Sequence, residues 1–274
     1  ADVKVGLQTG DNDRFLRQWF EVAHKRIGFG MKDRVDARSS GRKWFPYNKG
    51  GEFRKWYGNQ DYVVNWEDDG EEIRNFTDSN GKLRSRPQNT EFFFNESVSW
   101  SKISSSNLAM RLFPYGFIFD VAGCSLFSYS HISDMKVLGV SNTMLIREIL
   151  AIMSPTLNFE VGQISNIPYP MNDTIDEYTI EKMVRITKDD WDSYETSWDF
   201  QQLPLLQVSN VRSSLKEAYE QLREQWIEMT LRMQELEEEN NRIFIEAYGL
   251  EDELTPDVPL KEITLTCNPY YRYG

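Results

Sequence analysis

The sequence predicts an α+β protein: a strand-rich mixed domain over residues 1–172, a helix and connector over 173–208, and a long-helix extension over 209–274. Three observations predict it. Aromatic and β-branched residues gather in short runs through the first half, as half-buried strands require. Prolines then punctuate 154–170 and close that part. From Leu215 onward, apolar residues recur at alternating steps of four and three, the period of a helix with one apolar seam.

Residues 3–12 (VKVGLQTGDN) read as a short strand followed by a turn, because Gly10, Asp11 and Asn12 are turn formers. Residues 31–42 are polar and charged without a period, which predicts an exposed loop. The stretch 43–66, KWFPYNKGGEFRKWYGNQDYVVNW, reads as an aromatic hairpin around Gly50 and Gly51. An acidic turn at 67–70 follows, and Asn80-Gly81 favours a tight hairpin at 78–81. Residues 91–100 and 115–121 predict strands. Residues 137–153 predict one buried helix that stops before Pro155, since a proline disfavours helical backbone in the residue ahead of it. Residues 154–170 read as a short strand between loops, 173–192 as a helix, and 191–206 as an irregular connector with exposed aromatic anchors.

The long seam runs through Leu215, Tyr219, Leu222, Trp226, Met229, Met233, Leu236, Asn240 and Ile243. Ser214 with Glu217 supplies a capping box, and Gly249 stands where a left-handed C-cap belongs. Such a seam serves a helical hairpin within the chain or docking to another domain or chain. Asn240 would fix its register, because a buried amide needs a matched partner. Glu237, Glu238 and Glu239 read as a solvated face.

The chain has 274 residues, 40% hydrophobic and 27% charged, the profile of a globular protein with a sizeable core. No apolar run is long enough to cross a bilayer and no secretory leader opens the sequence, so a cytoplasmic protein without a membrane partner is expected. Cys124 and Cys267 are far apart and read as free buried thiols. The net charge of −12 argues against nucleic acid at first. Between Arg14 and Lys55, however, twelve Lys and Arg stand against four acids, Glu21, Asp33, Asp36 and Glu52.

Within 43–66 the cations Lys43, Lys49, Arg54 and Lys55 interleave with Trp44, Phe45, Tyr47, Phe53, Trp56 and Tyr57. Rings that stack on bases beside charges that hold phosphates would have this pattern, and so would a hairpin with core rings and wet lysines. Arg14 and Arg17 follow Asn12, and Asn12 and Asn59 carry amides suited to base edges. Other chemistry is lacking. No phosphate-binding Gly-rich loop or dinucleotide fingerprint occurs, and His24 and His131 have no metal-like spacing. Ser130, His131 and Asp134 are three common residues in one short segment and make no triad. Asn268-Pro269-Tyr270-Tyr271 is one residue from the Asn-Pro-Pro-Tyr loop of adenine methyltransferases, but at this position it reads as a terminal loop.

Four segments carry a family likeness: GLQTGDNDRFLRQW, KWFPYNKGGEFRKWYGNQDYVVNWEDDG, SVSWSKISSSN with RLFPYGFIFDVAGCSLF, and SPTLNFEVGQISNIPY. Together and in this order they resemble the C-terminal half of bacterial adenine-specific DNA methyltransferases, of the PglX type in BREX phage-defence systems, with a TaqI-like target-recognition region. The resemblance implies S-adenosylmethionine-dependent methylation of adenine N6, performed by a Rossmann-like half that this sequence lacks. It implies a fragment without activity or cofactor of its own. Its partners would be double-stranded DNA, the missing N-terminal methyltransferase domain and, through the heptad helix, other defence-system proteins. Expected DNA contacts are Asn12, Arg14, Arg17, Lys43, Trp44, Tyr47, Lys49, Arg54, Lys55, Trp56, Tyr57 and Asn59. The alternative is a protein-interaction module whose aromatic stretch is core and whose heptad seam binds a partner. A recognition head serving a nuclease remains a third reading.

Overall fold

The structure is a computed structural model that describes residues 1–104, 106–128, 133–153, 158–169, 177–208 and 214–273. Its strands are β1 (Asp2–Lys4), β2 (Leu16–Gln18), β3 (Trp44–Asn48), β4 (Tyr62–Asn65), β5 (Ser97–Ser101), β6 (Met110–Phe113), β7 (Ile118–Phe119) and β8 (Gly123–Phe127). They form two four-stranded sheets, ordered β1-β8-β5-β6 and β2-β4-β3-β7. The first sheet is antiparallel throughout, and the second carries one parallel pairing, Tyr47↔Ile118 and Asn48↔Phe119. The helices are α1 (Asn12–Phe15), α2 (Arg34–Ser39), α3 (Glu67–Arg74), α4 (Asp134–Ser141), α5 (Met144–Met153), α6 (Val161–Ile164), α7 (Glu177–Asp192), α8 (Pro204–Val208), α9 (Leu215–Tyr248) and α10 (Pro269–Tyr273). The α+β class and the long closing helix are therefore as the sequence predicts.

The aromatic hairpin exists, with Trp44 opposite Asn65 and Tyr47 opposite Tyr62. Its two strands are joined by an extended loop over 49–61, not by a tight turn at Gly50 and Gly51. That loop leaves its own sheet: the Trp56 N–H donates to the Met110 carbonyl and the Trp56 carbonyl accepts from the Leu112 N–H, both partners in β6 and each bond 2.8 Å long. It thereby ties the two sheets together. Two glycines permit the close approaches this needs. A Cβ on Gly123 would lie 2.5 Å from the Asn48 carbonyl oxygen, and one on Gly58, whose φ is 121°, would lie 2.5 Å from the Arg54 side chain.

Several local expectations change. Residues 31–42 hold α2, because the Asp33 carboxylate caps it by accepting from the N–H groups of Val35 and Asp36, both at 2.8 Å. The acidic turn is left-handed, with Asp68, Asp69 and Gly70 at φ 49°, 60° and 76°. Residues 137–153 form two helices, since Asn142 ends α4 and turns its side chain to both backbone groups of Met110. In 91–100 only Ser97–Ser101 enters a sheet, and 158–169 contains the short helix α6 where a strand was expected. Pro155 and residues 173–176 lie outside the described residues, as do Ser130 and His131.

The helix α9 is capped as the sequence predicts. Ser214 accepts from the Glu217 N–H, the Glu217 carboxylate returns the bond, and Gly249 adopts φ 67°. From Leu222 onward the seam faces inward. Leu222, Met233, Leu236 and Asn240 are buried, and the Asn240 amide donates to the Gly139 carbonyl at 3.0 Å. One core cluster accordingly takes Trp56, Val98, Trp100 and Met110 from the sheet side, Ile180 and Met183 from α7, and Met233, Leu236 and Phe244 from α9. A second core, around Phe15, Phe45, Tyr47, Trp66, Phe93, Phe94 and Ile118, fills the other sheet. Cys124 and Cys267 are free thiols, and burial pushes Cys124 up to about 12. No described helix is long and apolar enough to cross a membrane.

Candidate nucleic-acid interface

The loop 49–61 and the turn before α1 place four of the twelve expected contacts on two adjoining clefts. The smaller, of about 260 Å³, is lined by Gln8 to Asn12, Lys49, Asp120 and Val121. The larger, of about 760 Å³, is lined by Lys49 to Arg54, Asn59, Asp61, Tyr62, Trp191, Thr196, Thr266, Tyr271 and Arg272. Lys49 lies on both. Asn12 is exposed and its Oδ1 accepts from the Thr9 hydroxyl at 2.6 Å, while Asn59 is buried and donates to the Glu52 carbonyl at 2.9 Å.

The cations of the central stretch turn out to be engaged with carboxylates. Lys43 pairs with Glu67 at 3.2 Å and Lys49 with Asp120 at 2.8 Å. Arg14 reaches Glu72 through two bonds of 3.0 and 2.7 Å. Arg54 is 7% exposed, sandwiched between the rings of Trp191 and Tyr271 at 5.0 and 5.8 Å, with Asp190 at 3.8 Å and bonds to the Thr264 carbonyl and the Thr266 hydroxyl. Lys55, 5% exposed, is ion-paired to Glu237 of α9. Arg17 donates to the carbonyls of Asp13 and Leu16 and lies over the Trp44 ring at 5.6 Å.

The rings are interior. Trp44, Tyr47, Trp56 and Tyr57 are all buried, and Tyr47 and Trp56 fully so. The Tyr47 hydroxyl donates to Asp120 at 2.6 Å, and burial beside that carboxylate raises its pKa well above the usual phenol value. Trp56 Nε1 donates to Glu237 at 2.8 Å. Glu237 is therefore no solvated side chain. It is the shared acceptor that joins the loop to α9, and burial raises its carboxyl against the opposing pull of Lys55. Hydrophobic gain drew Lys55, Trp56 and Glu237 inside together, because each satisfies the polar atom of another.

Sequence reasoning passed over Arg111 and Asp61. Arg111 is fully buried and donates to the Arg54 carbonyl at 2.9 Å and to the Ser101 hydroxyl at 3.1 Å, and burial lowers its pKa to about 10. Asp61 lines the larger cleft, and burial raises its carboxyl while Arg54 pulls it back. Neither bears a local pattern that would have marked it. The motif Asn268-Pro269-Tyr270-Tyr271 opens α10 as a structural element. The Asn268 amide donates to the carbonyls of Leu260 and Ile263 at 2.7 and 2.8 Å, and its oxygen caps the Tyr270 N–H at 3.1 Å. Tyr271 donates to the Phe53 carbonyl at 2.5 Å. With its amide fully committed, this motif does not fit a loop that grips an adenine.

The sheets, the buried loop and α9 thus define a body whose surface carries two adjoining clefts that share Lys49. Comparison with known proteins relates this body to one region of the adenine-specific methyltransferases. The chain is 37% identical over 270 residues, 96% of its length, to the adenine-specific methyltransferase PglX of Lacticaseibacillus casei strain Zhang. It is 33% identical over 273 residues, 98% of its length, to the adenine-specific methyltransferase BrxX of Escherichia coli O9:H4 strain HS. It spans only 22% and 21% of those relatives. No protein-family model matches it.

Proposed function

We propose that this chain is the DNA target-recognition region of a larger S-adenosylmethionine-dependent adenine-N6 methyltransferase of BREX phage defence. The observation that carries this reading is the near end-to-end similarity to two adenine-specific methyltransferases that are each more than four times as long. Such an enzyme must hold the duplex while one adenine leaves the stack for the catalytic pocket. The methyl donor would bind elsewhere in the parent polypeptide. The geometry supports a holding role through the adjoining clefts, where the exposed Asn12 amide and the Lys49 ammonium lie along one rim. Asn12, Arg14, Arg17, Lys43 and Lys49 are the expected contacts that keep a surface position. Arg54, Lys55, Trp44, Tyr47, Trp56, Tyr57 and Asn59 support the surface from beneath. Fluorescence anisotropy with a panel of duplexes tests the reading. Salt-dependent binding with a preferred sequence is expected, and absence of binding at low salt would refute it.

A second reading, a protein-docking module, rests on the outer face of α9. Its first half leaves Leu215, Tyr219, Ile227 and Leu231 exposed, beside a groove of about 720 Å³ that Trp226, Tyr270 and Tyr273 also line. The rest of the parent enzyme or another defence protein would occupy it.

A further inference from the structure

We infer that the phosphate-holding surface is the segment 25–42, through Lys25, Arg26, Lys32, Arg38 and Arg42, and not the aromatic stretch that follows it. This deepens the recognition reading and depends on it. All five side chains are exposed, and among the described residues none of them makes an ion pair. The contrast with their neighbours is sharp. Arg14, Arg34, Lys43 and Lys49 are held by Glu72, Asp69, Glu67 and Asp120. In a chain of net charge −12, the segment 25–42 holds six Lys and Arg against only Asp33 and Asp36, and this surplus sets the sign of the local field, which is screened beyond about 8–10 Å.

The acids nearest in sequence are committed to backbone N–H groups. Glu21 accepts from the Gln18 N–H at 2.6 Å, Asp33 caps α2, and Asp36 accepts from the Lys32 N–H at 3.1 Å. The chain brings both ends of the segment together. Ile27 pairs with Trp44, the Gly28 N–H donates to the Trp44 carbonyl at 2.8 Å, and the Cβ of Arg42 lies 3.4 Å from where a Cβ on Gly28 would sit. Lys25 and Arg26 on one side and Arg42 on the other therefore flank the start of β3, with Lys32 and Arg38 on the segment between them. That end of the strand adjoins the larger cleft. Trp19 packs with Val22 and Phe29 against Ile27 and Trp44, its backbone N–H donates to the Asp61 carbonyl at 3.0 Å, and its Nε1 donates to Thr196. Asp61 and Thr196 both line the cleft. A duplex lying along the segment would rest its phosphates on the five cations while a groove faced the cleft.

The test compares the 274-residue chain with two variants by fluorescence anisotropy on duplex DNA from about 50 to 300 mM salt. One variant carries Arg26→Gln, Arg38→Gln and Arg42→Gln. The other carries lysine at the same three positions. Loss of three phosphate contacts should lower the slope of log K against log salt by roughly 2.7 and weaken binding at 0.1 M salt by roughly 10²–10³-fold. The lysine variant should bind nearly as the parent does, and circular dichroism should show all three folded alike. Unchanged slope in the glutamine variant overturns the segment as the phosphate surface and leaves the recognition reading standing. Failure of the unaltered chain to bind duplex at 50 mM salt overturns both.

Discussion

The buried pair that ties loop 49–61 to α9 yields the sharpest prediction about stability. Lys55 and Glu237 are 5% and 3% exposed, and Glu237 also accepts from Trp56 Nε1 at 2.8 Å. Removing one member of such a pair leaves an uncompensated buried charge and costs about 3–5 kcal/mol. Lys55→Met falls near the lower figure, because Glu237 keeps its indole donor and its raised pKa lets it take up a proton. Glu237→Leu falls at about 5 kcal/mol, since it orphans both the ammonium and the indole N–H. Lys55→Met with Glu237→Leu leaves only the indole unpartnered and should cost about 1–3 kcal/mol. The double variant is thus more stable than the Glu237 single. Urea denaturation followed by tryptophan fluorescence measures all four forms. A double variant whose loss equals the sum of the singles would refute the coupling, as would a Lys55→Met variant within about 0.5 kcal/mol of the parent.

Further outcomes follow from other contacts. Arg54→Ala removes the guanidinium held between Trp191 and Tyr271 and orphans the Thr266 hydroxyl, so thermal unfolding should show a loss of about 2–3 kcal/mol. Burial would raise Asp69, but Arg34, Arg74 and the Trp66 indole outweigh it and hold the carboxyl below its ordinary value. A depressed carboxyl stabilises the fold above its unfolded pKa of about 3.9 and loses that contribution as pH falls through the folded value, so Arg34→Ala should move the acid-unfolding midpoint to higher pH. Cys124, fully buried and with its pKa near 12, should resist a thiol reagent at pH 8 until denaturant is added. Glutamate at exposed Ile227 and Leu231 should leave the fold intact by circular dichroism, and sedimentation should show loss of any self-association that uses the α9 face.

What could be read from the sequence was what local chemistry decides. The capping box at Ser214 and Glu217 and the glycine C-cap at Gly249 each depend on a few neighbouring residues, whereas the pairing of 44–48 with 62–65 spans a long loop that the Gly50-Gly51 pair did not suggest. The fate of the central cations was not local. Lys55 meets Glu237 across 182 residues, and Arg54 meets Thr266 across 212, so nothing near 43–66 distinguishes a lysine that binds phosphate from one that enters the core. Of the two readings the aromatic pattern allowed, contact surface or core, Trp44, Tyr47, Trp56 and Tyr57 take the core. At 31–42 the absence of a period concealed a six-residue helix whose cap, Asp33, stood in view. Counting charge located the basic excess correctly between Arg14 and Lys55, but only the fold shows which of those cations have partners.

The central claim is that this region chooses the DNA sequence while the remainder of the parent enzyme performs the transfer. Exchanging residues 1–274 with the matching region of a relative that methylates a different motif, and sequencing the methylome of a host carrying each hybrid gene, tests it most directly. The account predicts that the methylated motif follows the exchanged region. A motif that stays with the remainder of the enzyme would contradict it.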